Sequence, residues 1–260
     1  MTQLDIKLLS SIGSTLGPDN PEKGLSWRSA GRTHIGHVRA LNEDDLFESI
    51  EQQLWCVADG MGGLSRGDYA SKAIIKAIKG FSRHPTLRAN IEDLEHKLLA
   101  VNDTCRSAFR AKRLGSTVAI LFAFNNMCFC LWAGDSRIYR LRGGELTQLT
   151  EDHTLQQEKL SLTSASGETT NTDASARSAH VLTRAVGVHK TLRLDMTHHN
   201  IEAGDRFMLC SDGLYNALPA NTIRALLGHG EINASLDELF TAALEHGGQD
   251  NITAVVAEAL

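Results

Sequence analysis

The sequence predicts an α+β fold in which antiparallel sheets are covered by pairs of helices. Three observations carry that expectation. Apolar runs of strand length occur as hairpins closed by Asn125-Asn126 and Gly143-Gly144, helical stripes follow one another in pairs, and no repeat unit recurs along the 260 residues. A doubly wound fold would instead alternate strand and helix.

Residues 1–25 are polar and hold two of the four prolines, Pro18 and Pro21, so they read as a loosely held lead-in to one domain spanning 26–260. Leu54 to Ala58 is a continuous apolar run, a strand ending at Asp59-Gly60. Ala70, Ala73, Ile74, Ala77, Ile78 and Phe81 recur at helical spacing, with Gly80 suited to the helix end. A second helix, with Asn90 as N-cap, places Ile91, Leu94, Leu98, Val101, Cys105 and Ala108 on one face. Val118–Phe124 and Met127–Trp132 form a hairpin around Asn125-Asn126, and Arg137–Arg142 with Glu145–Leu149 forms another around Gly143-Gly144. From Ser161 to Ser178 nine of eighteen residues are Ser or Thr, which predicts a solvated loop. Structure resumes at Val181–Val186, and Arg206–Cys210 is a strand ending at Ser211-Asp212-Gly213. The last helix opens with a capping box, Ser235 and Glu238, and closes at Gly247-Gly248 before the strand Ile252–Val256.

Composition narrows the function classes. With 26 basic and 31 acidic residues the net charge is -5, and the apolar share is 42%. That is a soluble globular composition, and it lacks the basic face that a sequence-independent grip on nucleic acid or anionic lipid requires. The longest apolar stretch, Val118–Ala133, is interrupted by Asn125 and Asn126 and is too short to span a bilayer. No basic start leads into an apolar block, so no secretory signal is expected. Five cysteines, an odd number without CxxC spacing, read as buried small hydrophobes in a reducing cytoplasm.

Four aspartates share one placement. Asp59, Asp135, Asp212 and Asp250 each lie within two residues of an apolar strand, beside a Gly or Asn. A single Asp-Gly after a strand is ordinarily a turn. Four such ends brought together form a self-repelling cluster unless a cation neutralises it, and oxygen donors without His or Cys select a hard ion such as Mg²⁺ or Mn²⁺.

The motifs Gly36-His37-Val38-Arg39-Ala40-Leu41-Asn42-Glu43-Asp44 and Val57-Ala58-Asp59-Gly60-Met61-Gly62-Gly63 resemble the opening motifs of the metal-dependent protein phosphatases of type 2C. In order follow Gly115-Ser116-Thr117, Ala133-Gly134-Asp135-Ser136-Arg137, Asp152-His153, Leu182-Thr183-Arg184-Ala185, Gly204-Asp205-Arg206, Cys210-Ser211-Asp212-Gly213-Leu214 and Gly248-Gln249-Asp250-Asn251. The resemblance covers about residues 27–257. It implies a four-layer sandwich, two packed antiparallel sheets flanked by pairs of helices. It further implies hydrolysis of phosphoserine and phosphothreonine by a water activated between two cations about 3.5 to 4 Å apart. By the same resemblance Asp59 bridges two Mn²⁺ or Mg²⁺ ions, the Gly60 carbonyl joins it, Asp212 and Asp250 complete the first shell, and Asp135 helps to hold a third ion. Glu43 and Asp44 would orient bound waters, Asn251 would orient a ligand, and Arg39 would clamp the substrate phosphate, for which a planar fork suits better than Lys.

The chain departs from the family pattern at Met61 and Leu64, where some members carry His, and in the Ser/Thr-rich stretch that stands where the family has its flap. The proton donor to the leaving group is therefore unassigned, with His153 a candidate. Ser136 and Ser211 have no His-Asp relay and read as turn hydroxyls. The segment Trp27–Asp44 further resembles the phosphatases linked to bacterial type VI secretion, whose opposing partner is a Ser/Thr kinase. A pseudophosphatase binding module on the same fold would have lost one of Asp59, Asp212 and Asp250, and a nuclease would want a basic groove.

Overall fold

The computed structural model describes residues 4, 6–19, 24–61, 67–108, 114–166 and 181–260. Its elements run α1 (Ile6–Leu16), β1 (Trp27–His34), β2 (Asp44–Ser49), β3 (Leu54–Met61), α2 (Gly67–Lys79), α3 (Leu87–Ala108), β4 (Gly115–Ser116), β5 (Val118–Phe124) and β6 (Met127–Ala133). There follow β7 (Arg137–Arg142), β8 (Glu145–Gln148), α4 (Leu155–Ser166), β9 (Asp195–Asn200), β10 (Arg206–Cys210), α5 (Asp212–Tyr215), α6 (Ala220–Leu227), α7 (Ile232–Glu245) and β11 (Ile252–Ala259).

The strands form two antiparallel sheets. One has the order β1-β11-β10-β7-β8, the other β2-β3-β5-β6-β9 with β4 paired to the end of β3. The central strands are covered on both faces, which is why they read as unbroken apolar runs. In β5, Val118, Ile120, Phe122 and Phe124 pack toward α1, α2 and α3, while Ala119, Leu121 and Ala123 pack toward the other sheet. In β11, Ile252, Ala254 and Val256 face α6 and α7, and Val255, Ala257 and Ala259 face inward. Three apolar layers thus separate four layers of structure, as the α+β reading and the resemblance predict. Trp27 and Trp55 meet between the sheets with ring centroids 4.7 Å apart, and all five cysteines are free and buried.

Several elements differ from the sequence reading. Within the expected lead-in, Ile6–Leu16 is a helix, because Leu9, with Ile12 and Leu16 behind it, reaches the apolar cluster shared with α3. Asn90 is not an N-cap. It lies inside α3, its Nδ2 donating to the His84 and Thr86 carbonyls and its Oδ1 accepting from the His84 amide, while Thr86 Oγ1 accepts the Ala89 amide. Likewise α7 begins at Ile232, and Ser235 lies within it, its hydroxyl near the Leu226 and His229 carbonyls so that it ties α7 to α6. The first six residues of the expected 161–178 loop belong to α4; of the rest, 167–178 lie outside the described residues. Val181–Val186 forms no strand, making only isolated bridges at Leu182 and Val186. Finally, β3 does not stop at Ala58: Asp59 pairs with Asp44 and Gly60 with Ser116.

Candidate active site

A cleft of about 640 Å³ opens at the end of both sheets. It is reached by β3 with Asp59 and Gly60, by the β6–β7 turn with Asp135, by the start of α5 with Asp212 and by the corner before β11 with Asp250. The β1–β2 loop adds Arg39 and Glu43, and Asn251 completes the floor. Of the site residues expected from sequence, all but Asp44 line this cleft. Asp44 lies behind it, buried, opposite Asp59 in the β2–β3 ladder.

Local bonding fixes these side chains. Asn251 Oδ1 accepts the Glu43 amide at 2.8 Å, and its Nδ2 donates to the Ile35 and Leu41 carbonyls at 2.8 and 3.0 Å, stitching the Arg39 loop to the Asp250 corner. Close approach of backbone makes two glycines necessary there. A Cβ on Gly36, whose φ is +81°, would lie 2.2 Å from the Asp250 carbonyl, and one on Gly213 would lie 2.0 Å from that of Asn251. The Asp59 amide donates to Thr117 Oγ1 at 3.1 Å, the Thr117 amide donates to the Asp59 carbonyl at 2.8 Å, and Thr117 Oγ1 sits 2.6 Å from Ser136 Oγ. Ser211 Oγ donates to Asp44 Oδ2 at 2.7 Å and accepts the Thr253 amide at 3.0 Å. Both serines are therefore engaged as brackets for the acids, in keeping with their reading as turn hydroxyls.

Electrostatics set this cleft apart. Burial, then the charges of Asp44, Asp212, Asp135 and Asp250, hold the Asp59 carboxyl well above the usual range. Burial pushes Asp44 up to about 7, against hydrogen bonds from Ser211 and Thr253. Asp135 is likewise pushed up to about 7 by burial and then by Asp212 and Asp152. Arg39 makes an ion pair here, its Nη2 standing 2.6 Å from Asp250 Oδ2. Among the described residues no three His, Cys, Asp or Glu side chains enclose a common point as they stand. The donor set, clustered carboxylates plus a strand-end carbonyl, is nonetheless the kind that hard divalent cations neutralise.

Met61 lines the cleft, whereas Leu64 lies outside the described residues. His153 is not in the cleft wall. Its Nδ1 accepts the Gly134 amide at 3.1 Å, its Nε2 lies 3.1 Å from Asp195 Oδ2, and its buried ring stacks on Trp132 at 5.7 Å. It thereby props the turn that carries Asp135. Three polar or charged side chains in the cleft wall received no role from the sequence: Thr117, Arg184 and His189. Arg184 and Thr117 stood in quoted motifs, but their contacts are long-range; His189 carried no local signal.

The model of the protein phosphatase 2C family matches residues 30–260. Serine/threonine protein phosphatase PstP of Mycobacterium tuberculosis is 35% identical over 240 residues, 90% of this chain, and the chain spans 45% of that protein's length. Serine/threonine phosphatase stp of Listeria welshimeri is 31% identical over 240 residues, covering 87% of this chain and 94% of that one. Among solved structures, PppA, a key regulatory component of T6SS in Pseudomonas aeruginosa, superposes with a TM-score of 0.82 at 37% identity, over 94% of this chain and 100% of that one. The catalytic domain of PstP in complex with two manganese ions gives a TM-score of 0.77 at 32% identity, over 91% of this chain and 99% of that one.

Proposed function

This chain belongs to the protein phosphatase 2C family, and from that premise we propose that it is a metal-dependent protein serine/threonine phosphatase. The observation that carries the proposal is the convergence of Asp59, Gly60, Asp135, Asp212 and Asp250 with Arg39 in one cleft. Asp59, the Gly60 carbonyl, Asp212 and Asp250 would hold two Mn²⁺ or Mg²⁺ ions, and Asp135 would serve a third. Such ions supply Lewis-acid activation of water and neutralise charge on the phosphoryl group.

The chain's own groups do the rest. Arg39 holds the substrate phosphate with its guanidinium fork, after exchanging its ion pair with Asp250 for the phosphate oxygens. Glu43 orients water from the cleft wall, whereas Asp44, buried behind it and bonded to Ser211, backs Asp59 instead, and Asn251 keeps the Arg39 loop in register with Asp250. Met61 has no proton to give and His153 is engaged outside the cleft wall, and we assign the proton for the departing alkoxide to water. The physiological role we propose is to oppose a Ser/Thr kinase in the cytoplasm, in control of type VI secretion. Its support is the Trp27–Asp44 resemblance together with the 37% identity to PppA. No helix among the described residues is long and apolar enough to cross a membrane.

The test is release of phosphate from a phosphothreonine peptide with Mn²⁺ or Mg²⁺ and its loss in EDTA. Turnover undiminished in EDTA would contradict the metal centre. Preference for a nucleotide diester would favour a nuclease, and binding without turnover in Mn²⁺ would favour a pseudophosphatase, although none of the acids such a module would lose is missing.

A further inference from the structure

The segment from Val181 to Leu194, between α4 and β9, belongs to no sheet ladder yet is tied down along its length. Leu182 bridges Thr154, and the Thr183 amide donates to the His153 carbonyl at 2.9 Å. Val186 and Ser116 exchange both backbone hydrogen bonds, at 2.9 and 3.0 Å. From α3 the buried Asn102 accepts the Gly187 amide at 2.8 Å and donates to the His189 carbonyl at 3.2 Å. Irregular backbone fixed this firmly presents side chains in set positions, as binding surfaces do.

A second cavity, of about 440 Å³, opens beside the acidic cleft and shares Arg184, Ala185 and His189 with it. Its chemistry is different. Arg184 and Arg193 line it against a single lining carboxylate, Glu158. Arg184 gives one nitrogen to Asp195 at 2.5 Å and lines both cavities. Arg193 is exposed, and no ion pair joins it to another described residue. Thr183 also lines the cavity, and its hydroxyl is shut off from solvent with no hydrogen-bond partner among the described residues. Two arginines lining one cavity against a single carboxylate form a setting that a bound anion satisfies.

We propose that this second cavity receives an anionic group carried by the phosphoprotein substrate, a carboxylate or a second phosphate a few residues from the scissile one. Arg193 and Arg184 hold it. The proposal rests on the phosphatase reading above and adds a substrate preference to it.

The experiment compares three substrates with Mn²⁺-loaded protein: p-nitrophenyl phosphate, a phosphothreonine peptide flanked by alanines, and the same peptide with glutamate or phosphoserine two to four residues away. Wild type should favour the anionic peptides by about fivefold or more in kcat/KM, mainly through KM, and the advantage should shrink with added salt. Arg193→Ala should erase the advantage and leave p-nitrophenyl phosphate and the alanine peptide unchanged, while Arg193→Lys should restore part of it. Equal rates on all peptides in the wild type, or a preference for lysine that would put Glu158 in charge, would overturn the proposal. So would an Arg193→Ala loss common to every substrate. Inhibition by inorganic phosphate that disappears in Arg193→Ala, without any peptide preference, would identify free phosphate as the occupant instead. No turnover of p-nitrophenyl phosphate or of any peptide by the wild type would reject the phosphatase reading itself, an outcome distinct from a phosphatase without the preference.

Discussion

Asp44 and Asp59 stand directly opposite each other in the antiparallel β2–β3 ladder. Like charges in that relation destabilise a sheet, and here both carboxyls are also buried against further acids. A core alone gives no reason to keep such a pair. A cation held at the end of the ladder does, because it turns mutual repulsion into shared attraction.

Stability of the metal-free protein should therefore depend on pH through this pair. A carboxyl raised to about 7 in the folded state, as at Asp44 and Asp135, keeps a proton that the unfolded chain has already released. The folded state is then favoured below about 7, and that advantage is lost as pH rises through it. His199, whose pKa is lowered chiefly by burial, acts in the opposite sense, so the wild-type curve alone mixes the two. The difference between wild type and Asp44→Asn isolates the acid. In EDTA, the Tm of Asp44→Asn should gain on that of wild type between pH 6 and pH 8, and Mn²⁺ should narrow the gap. A gap that stays constant with pH would contradict the arrangement.

Asp59→Asn, Asp212→Asn and Asp250→Asn should each lower turnover by roughly a hundredfold or more, since about 3 kcal/mol of lost transition-state stabilisation already has that effect. All three sit at strand or helix ends facing the cleft, so circular dichroism should show the fold retained. Near wild-type phosphate release from all three variants would refute the metal-centre reading.

The acids were legible because Gly and Asn punctuate apolar runs at each of them. What escaped the sequence reading lies mostly at sheet edges. β1 and β9 carry half-exposed residues with no apolar alternation. β1 is held instead by pairing along its whole length with β11, and β9 by pairing with β6. The helix α1 was hidden by the prolines that follow it, although Leu9 buries as deeply as core residues of β5 do, within about one per cent. Arg184 and His189 reach the cleft through a segment whose anchor, Asn102, is more than eighty positions away. No local pattern encodes such a contact.

Arg39 should act on substrate. Its Nη2 pairs with Asp250, one of the acids proposed to hold an ion, so removing the guanidinium takes away a competitor for that carboxylate. Arg39→Ala should lower kcat/KM on phosphopeptides while Mn²⁺ binds at least as tightly as in wild type, readable by calorimetric titration. Weakened Mn²⁺ binding with normal kinetics at saturating Mn²⁺ would reverse the assignment.

The proton for the leaving group gives the last prediction. An aryl phosphate departs readily without a proton, whereas a threonine alkoxide does not, so a true general acid reveals itself by selectivity between the two. His153 accepts the Gly134 amide at Nδ1 and faces Asp195 with Nε2, which places the imidazole proton on the Asp195 side, away from the cleft. Replacing it leaves the Gly134 amide without its acceptor and the Trp132 ring without its stacking partner, loosening the turn that carries Asp135. His153→Ala should therefore lower p-nitrophenyl phosphate and phosphothreonine peptide turnover by a similar, small factor, lower the Tm, and keep the alkaline limb of the peptide pH–rate profile. A large loss confined to the peptide, together with disappearance of that limb, would instead make His153 the proton donor and require its ring to leave the pocket it occupies between Trp132 and Asp195.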